Sequence, residues 1–274
     1  MMTTMAILGC LFLAGIILMF QASKQKQANF QRKYELIVTL RHLIILCRKH
    51  RSATHSGLIL SNNPKSALEK INSLLLEQSN HLISIAHFNN KPTYRILQMR
   101  LSKLSQDWSE RTIARNQITH GAAIRHCMYS IDEIVMAWLA ETDQSELCYQ
   151  YHTNWQQIID SMEALTQLRI SIQDIDTKNG LLRTQYRCTA MRRKLNQLAL
   201  ISPLSIASPA CSRAMHIMEE MADNTDYALS SNELYDLTSD ISISITAVYD
   251  QMLSKLTTEL YVPLPKMTTP IELQ

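Results

Sequence analysis

The sequence contains few residues that interrupt a helix. Its 274 residues include only five glycines and seven prolines, and no proline occurs between Pro92 and Pro203. A proline inside a helix costs roughly 3 kcal/mol, so long proline-free stretches are compatible with long helices. A β-sandwich of this length needs a turn signal every 8 to 12 residues or so, and such signals are far too sparse here. The sequence therefore predicts an all-α protein.

Aromatic residues and excess charge are also scarce. Aromatic residues make up 6% of the chain, and the net charge is only +3. These values do not favour a base-stacking or polyanion-binding surface, so we expect no nucleic-acid partner. The six cysteines form no CxxC pair and mostly lie in apolar helical pattern, which is typical of reduced, buried thiols in a cytoplasmic protein. No catalytic motif or metal-ligand pattern is present, so we predict a protein that is not an enzyme and needs no metal or cofactor.

One long apolar run occurs, at the N-terminus. Residues 1–20 carry no charge, and Met5 to Phe20 are continuously apolar. About 20 apolar residues span the hydrocarbon core of a bilayer. Basic residues follow the run but do not precede it: Lys24, Lys26, Arg32 and Lys33. By the positive-inside rule, residues 1–22 are predicted to be a single transmembrane anchor with the bulk of the chain in the cytoplasm, and we expect a bacterial inner membrane.

The rest of the chain is predicted to form eight helices joined by short loops. Residues 23–262 form a helical domain, and residues 263–274, which are rich in proline, form a flexible tail. Short loops favour up-and-down packing, either as two packed four-helix bundles or as one elongated bundle. The predicted helices cover about 24–60, 65–87, 93–112, 115–142, 145–173, 176–200, 210–229 and 231–260.

The first of these helices has the periodicity of a packed helix. Its apolar residues recur at alternating steps of four and three, with the step through His50 included, which indicates one buried face. This series consists of Leu36, Leu40, Leu43, Cys47, Thr54 and Leu58.

Acidic and basic residues are separated into blocks along the chain. No acid occurs between Glu35 and Glu69 or between Asp176 and Glu219, although both segments contain several arginines. Such helices need a counter-charge, either from the acidic helices of the same fold or from a bound anion. Arg41, Arg48, Arg51 and His55 fall within about 80° on a helical wheel, and Arg183, Arg187 and Lys194 share a face of the later helix. A solvated face is the preferred interpretation for Arg41, Arg48, Arg192, Arg193 and Lys194; for Arg51 and Arg183 solvation and anion binding are equally supported.

Two short segments resemble a known family. His50-Arg51-Ser52-Ala53-Thr54-His55-Ser56-Gly57-Leu58 resembles the Glu-Arg-Gly-x-Ser/Thr segment, closed by a Leu, near the start of nitrate- and nitrite-sensing (NIT) domains. Asn179-Gly180-Leu181-Leu182-Arg183 is similar to the Ala-Gly-x-x-Arg element that opens a later helix of such domains. The chain departs from these patterns at His50, Ser52 and Asn179.

The resemblance implies a membrane-tethered sensory domain that performs no chemistry. A small inorganic anion such as nitrate or nitrite is then bound between helices by Arg51 and Arg183, with Arg48, Arg187 and His55 as further candidate ligands, and the signal passes to a protein partner. A structural role is favoured over anion binding for His50 and His55. The alternative is a non-enzymatic scaffold or adaptor at the inner membrane with no small ligand. The oligomeric state stays open, with a homodimer among the alternatives.

Overall fold

The computed structural model describes residues 2–60, 64–223 and 229–265, and within the first helix it describes side chains at position 13 and from 15 to 59. This part of the chain contains no strand, so the prediction of an all-α fold is confirmed. Short 3-10 turns occur at Phe88–Asn90, Trp108–Glu110 and Ile172–Asp174. The helices are α1 (Met2–Leu60), α2 (Lys65–Ile85), α3 (Lys91–Ser105), α4 (Ile113–Glu141), α5 (Ser145–Ser171), α6 (Lys178–Ala199), α7 (Pro203–Ile206), α8 (Pro209–Asp223) and α9 (Ser231–Leu260).

Helix α1 is one continuous helix of 59 residues. Its second half packs into the protein along the predicted face, where Leu40, Leu43, Cys47, His50 and Thr54 are all fully buried. The sequence pattern places these residues on one side because steps of three and four residues return to the same side of a helix. The arginines between them are consequently brought to the edge of the buried face.

The first half of α1 extends away from this packed region. Its described apolar side chains are between 49% and 76% exposed, from Leu13 to Phe20. Among the described residues, no helix contains an apolar stretch that is long enough to cross a membrane. The predicted anchor at residues 1–22 is therefore not supported by the described residues, and more than half of its side chains lie outside them.

The helix contacts divide the long helices into two groups of four. In the N-terminal group α1 packs against α2 and α4, and α3 packs against α2 and α4. In the C-terminal group α5 packs against α6 and α9, and α8 packs against α6 and α9. The main contact between the groups is that of α4 with α5, which follow each other after a short turn. We call the boundary between the two groups the seam.

The segment that follows α9 returns to α1. The Tyr34 hydroxyl donates to the Pro263 carbonyl at 3.0 Å, and the Tyr261 hydroxyl donates to Gln31 Oε1 at 2.7 Å. Leu264 is buried. Residues 261–265 are thus packed against α1, although the sequence predicts a flexible tail from residue 263; residues 266–274 lie outside the described part.

Helix α6 begins with a tight turn in which Gly180 touches the preceding backbone. Thr177 caps the helix, because its hydroxyl oxygen accepts the Gly180 amide at 3.0 Å. A Cβ atom at position 180 would lie 1.8 Å from the Asp174 carbonyl oxygen. The glycine is therefore required by the close approach of two backbone segments.

We expect Gly180→Ala to lower the free energy of unfolding by about 1–3 kcal/mol, which is the usual cost of inserting atoms into a packed region. This sign is opposite to helix propensity, which favours alanine over glycine by about 1 kcal/mol. Denaturant unfolding followed by far-UV circular dichroism measures the change.

Gly121→Ala is the matched control for this experiment. Gly121 lies inside α4, and a Cβ there would meet Arg125 and Thr166 atoms at an ordinary 3.5 Å. We expect Gly121→Ala to change the free energy of unfolding by less than about 1 kcal/mol. Equal effects of the two substitutions would contradict the backbone contact at Gly180.

Candidate functional site

A cavity of about 270 Å³ lies at the seam. Helices of both groups line it, and most of the lining side chains are polar or charged. It is lined by Arg48, Lys49, Arg51, Ser52, His55 and Ser56 of α1, Gln117 of α4, Arg169 of α5, and Tyr235, Asp236, Thr238, Ser239, Ser242 and Ile243 of α9.

Three of the lining residues are arginines, and two of these are buried side chains. Arg51 is 8% exposed and Arg169 is 4% exposed, while Arg48 is partly buried. Arg169 is held by α9, because its Nε donates to Thr238 Oγ1 at 3.0 Å and its Nη2 donates to the Thr238 carbonyl at 2.9 Å. Within the described ranges, no carboxylate forms an ion pair with any of the three guanidinium groups. The cavity therefore gathers positive charge that the protein does not neutralise by direct contact.

The three charges destabilise one another. Burial, and after it the neighbouring Arg48, lowers the pKa of Arg51 to about 9. Burial likewise lowers the pKa of Arg48 to about 10, against the opposing effect of Asp250. Burial and then Arg51 and Arg48 hold the pKa of Arg169 well below its usual range. Because arginine stays protonated at neutral pH, an anion that entered this cavity would relieve both desolvation and repulsion.

Three further polar atoms of cavity residues have no hydrogen-bond partner among the described residues: the acceptor Gln117 Oε1 and two donors. Arg48 Nε and Ser242 Oγ are both buried and unpartnered. Buried donors of this kind are normally satisfied by protein, water or a ligand. Their position around one cavity is what a site for an acceptor-rich molecule requires.

His55 lies at the cavity as a neutral ring. Its ring centroid is 4.2 Å from that of Tyr235, and its Nδ1 is 3.4 Å from Gln117 Nε2. Burial lowers the pKa of His55 to about 4, with Arg169 and Arg51 contributing and Asp236 opposing. At neutral pH His55 adds a polar edge to the cavity without adding charge.

Of the five ligands predicted from sequence, the structure brings together Arg48, Arg51 and His55. Arg183 lies elsewhere, half exposed, with its Nη2 2.5 Å from the Asp174 carboxylate. Arg187 lies with its guanidinium 5.8 Å from the Tyr186 ring. Both are on α6, which does not line the cavity. The expected joint binding of an anion by Arg51 and Arg183 is not what this geometry provides, because Arg183 already has a carboxylate nine residues before it.

Arg169 is the cavity residue that the sequence reasoning missed. Arg169 follows a stretch from 126 to 168 that contains no Lys or Arg. Along α5 the buried series runs Ile158, Met162 and Leu165 and reaches Arg169 at the next step of four. A charged residue in phase with a buried apolar face is the signal that identifies it.

Other charged surfaces are compensated within the protein. A second cavity, of about 260 Å³, is lined by Arg32 and Lys33 but also by Glu133. The Lys33 amine lies 2.5 Å from the Glu141 carboxylate. Arg41, which is on α1 but does not line the seam cavity, pairs with Asp250 at 2.9 Å. The cavity at the seam differs because its buried arginines lack such partners.

A chain of buried polar groups joins α1 to α4 near this cavity. His50 Nδ1 lies 2.8 Å from His120 Nε2, and His120 Nδ1 lies 2.8 Å from the Asn116 carbonyl oxygen. The Asn116 amide donates to Thr54 Oγ1 at 3.0 Å. The carbonyl fixes the proton on His120 Nδ1, so His120 Nε2 accepts the proton of His50 Nδ1. His120 must therefore be neutral for the chain to persist, because its Nε2 has to remain an acceptor.

The described residues contain no group of three or more His, Cys, Asp or Glu side chains that could hold a metal ion. The histidine pair is therefore a hydrogen-bonded contact between helices.

The sequence and the fold were compared with protein-family models, curated proteins and solved structures, and none of them matches. The resemblance to nitrate- and nitrite-sensing domains stays a prediction from the two short segments.

The histidine pair predicts a loss of stability on acidification. Burial lowers the pKa of His50 to about 4 and that of His120 to about 3. The unfolded chain binds these protons near pH 6.5. The contribution of the two histidines to the free energy of unfolding is therefore fully present above pH 6.5 and is lost as the pH decreases towards 4. We expect His50 alone to contribute a loss of about 3 kcal/mol.

Unfolding measured by denaturant titration between pH 4.5 and 7.5 tests this expectation. His120→Leu should reduce the pH dependence without abolishing it, because His50 and His55 still titrate, whereas His81→Gln, at an exposed position, should leave it unchanged. A steep pH dependence in His120→Leu equal to that of the unmodified chain would show that other groups cause it.

The arginine cluster predicts that one substitution increases stability. In dilute buffer without oxyanions, Arg51→Met should raise the free energy of unfolding by about 1–3 kcal/mol, because it removes a buried charge that no carboxylate offsets. Arg41→Met should lower that free energy by about 3 kcal/mol, because it leaves the Asp250 carboxylate without its partner. If both substitutions destabilise the protein equally, the charges at the cavity are compensated after all.

Proposed function

We propose that this protein is a membrane-tethered sensory domain that binds a small oxyanion in the seam cavity and signals through a protein partner. The single observation that carries the proposal is the group of three guanidinium groups, Arg48, Arg51 and Arg169, at one cavity without a paired carboxylate. Arginine presents a planar set of donors that suits oxyanions. No catalytic step and no cofactor is part of the proposal.

The position of the cavity relates binding to a change in helix packing. Arg48 and Arg51 belong to α1 in the N-terminal group, and Arg169 belongs to α5 in the C-terminal group. An anion that contacts guanidinium groups on both sides of the seam holds the two groups of helices together. Without an anion, positive charges face each other across the seam. Binding then favours a closed arrangement of the two groups by the difference in affinity between the arrangements.

The signal has a direct route along α1. The helix is unbroken from the cavity to its N-terminus, and about 30 residues at 1.5 Å per residue place Arg51 about 45 Å from Phe20. The apolar side chains of this stretch are largely exposed, for example Ile17 at 54% and Phe20 at 61%, and the Lys24 amine lies 4.8 Å from the centroid of the Phe20 ring. Together with the sequence of residues 1–22 and the basic residues after it, they support a membrane anchor with the helical domain in the cytoplasm.

The choice of anions to test is based on the family resemblance alone. The segment around Arg51 resembles that of nitrate- and nitrite-sensing domains, so nitrate and nitrite are the first anions to test. Arg169, on α5, takes the place that the resemblance gives to Arg183 as the arginine from a second helix.

A scaffold that binds no small ligand is the alternative, and one observation favours it. At the junction of α6 and α7, Leu200 and Leu204 are 87% and 84% exposed. Exposed apolar side chains that lie close together are typical of protein-protein contact sites. In this alternative the helical groups hold a partner at the membrane.

Thermal unfolding of the full chain in detergent micelles distinguishes the two functions. Nitrate, nitrite and sulfate, each compared with chloride at equal ionic strength, are added at increasing concentration. A ligand that binds only the folded protein raises the unfolding temperature by mass action, by the equivalent of about 2.7 kcal/mol at 100 times its Kd. We expect at least one oxyanion to do so.

The variants locate the effect. Arg51→Ala and Arg169→Ala should abolish the anion-dependent rise, and Arg183→Ala, at an exposed arginine with its own carboxylate partner, should retain it. The absence of a rise with every oxyanion, or a rise that persists in Arg51→Ala and Arg169→Ala, would overturn the sensory proposal in favour of the scaffold.

A further inference from the structure

We infer that the seam cavity selects a doubly charged, tetrahedral oxyanion group, the group shared by sulfate, inorganic phosphate and phosphate monoesters, over a singly charged anion such as nitrate. The inference rests on the proposed function, because it names the ligand class of the same cavity. It follows from the charges, the donors and the size of the cavity.

The side chains that line the cavity carry more positive than negative charge. Three guanidinium groups line the cavity, and one carboxylate, that of Asp236, also lines it. These three positive charges and one negative charge leave an excess of two; Lys49, which also lines the cavity, has an interaction partner of its own. A dianion neutralises this excess, whereas nitrate leaves at least one buried positive charge without compensation, which is costly because the guanidinium groups are desolvated.

The hydrogen-bond donors around the cavity also favour a tetrahedral oxyanion. Hydroxyl groups of α1 and α9 surround the arginines, and Ser242 Oγ is buried and without a partner in the described structure. Arg48 Nε is a second buried donor without a hydrogen-bond partner in the described structure. A tetrahedral group offers four oxygen atoms in different directions, so it can accept from donors on both sides of the seam. A planar nitrate offers three oxygen atoms in one plane.

The position of Arg169 makes it the residue that sets the preference. Its Nε and Nη2 are bound to Thr238 of α9, so the guanidinium is fixed in place before a ligand arrives. It supplies the third positive charge, and it does so from the group opposite to Arg48 and Arg51. Loss of this charge reduces the excess from two to one, which a monovalent anion neutralises.

The size of the cavity, about 270 Å³, leaves room beyond a single small ion. A free inorganic dianion and the phosphate group of an ester share the charged end, and only the ester places additional atoms in the cavity. Binding measurements with both kinds of ligand separate the two sources.

Direct binding to the full chain in detergent micelles tests the inference by isothermal titration calorimetry at constant ionic strength and pH 7.5. Calorimetry is needed because sulfate stabilises many proteins without binding to a site. The ligands are sulfate, inorganic phosphate, methyl phosphate, nitrate and nitrite. We expect Kd values for the three dianions to be at least tenfold lower than those for nitrate and nitrite. Tighter binding of methyl phosphate than of phosphate would identify an ester as the source.

Three variants test the assignment to these charges. Arg169→Gln should reduce the preference for sulfate over nitrate at least tenfold, and Arg187→Gln, a matched change on α6, should leave it unchanged. Asp236→Asn changes an exposed residue and keeps the experiment informative if Arg169→Gln does not fold. It raises the excess charge, so it should increase the preference for sulfate.

The outcomes separate the two proposals. Binding of nitrate as tightly as sulfate, with dependence on Arg51, would overturn the preference for a dianion and leave the sensory function in place. A preference for sulfate that neither Arg169→Gln nor Asp236→Asn alters would overturn the role of the charge balance. No binding of any of the five ligands would overturn the sensory function and the inference together.

Discussion

The desolvation of Arg48, Arg51 and Arg169 is the constraint on which the rest of this structure depends. Two four-helix groups meet at a seam where positive charge is gathered and where, in the described part of the chain, no ion pair relieves it. Hydrophobic packing on both sides has to hold these charges together. The fully buried apolar residues of α1 and α4, such as Leu43 and Ile124, supply that packing on one side of the seam. The fold therefore stores an electrostatic cost at the place where its two halves touch.

Each of the two groups of helices contains a buried polar contact close to these arginines. The pair of His50 and His120 joins α1 to α4 within one group and needs the accepting ring, His120, to be neutral. The contact of Arg169 with Thr238 joins α5 to α9 within the other group and keeps the charge of the guanidinium. Each group is thus stabilised internally, and the repulsion is left between them.

Much of the fold follows from the sequence, and its boundaries show where local rules are sufficient. The turn after α4 and the capping of α6 by Thr177 lie where the breaks in periodicity indicate. The third helix is shorter than predicted, because Asp107 adopts a left-handed conformation with φ of 49° and a 3-10 turn follows at Trp108–Glu110. A predicted helix to residue 112 missed this turn, since the segment contains no glycine or proline.

The site was only partly predictable, because charge partners are set by tertiary structure. Arg51 was identified from its place beside the buried face of α1. Arg183 has a partner nine residues away, Asp174, but the partner of Arg41 is Asp250, 209 residues away. Sequence blocks without acids do not show which arginine finds a carboxylate in the folded chain. The role of Arg169 likewise depends on α5 packing against α9.

The contact of the segment after α9 with Tyr34 has a consequence for how the protein is labelled and oriented. Pro263 meets α1 only about 14 residues beyond Phe20, which corresponds to roughly 20 Å along the helix axis. From there the segment runs along α1 towards the cavity, since Arg41 Nη1 donates to the Pro265 carbonyl at 3.4 Å. A fluorophore attached at position 265 would lie about 10 Å along the axis of α1 from Arg48 and about 32 Å from Phe20. Energy transfer from this position to a dye in the bilayer would report the height of the helical domain above the membrane.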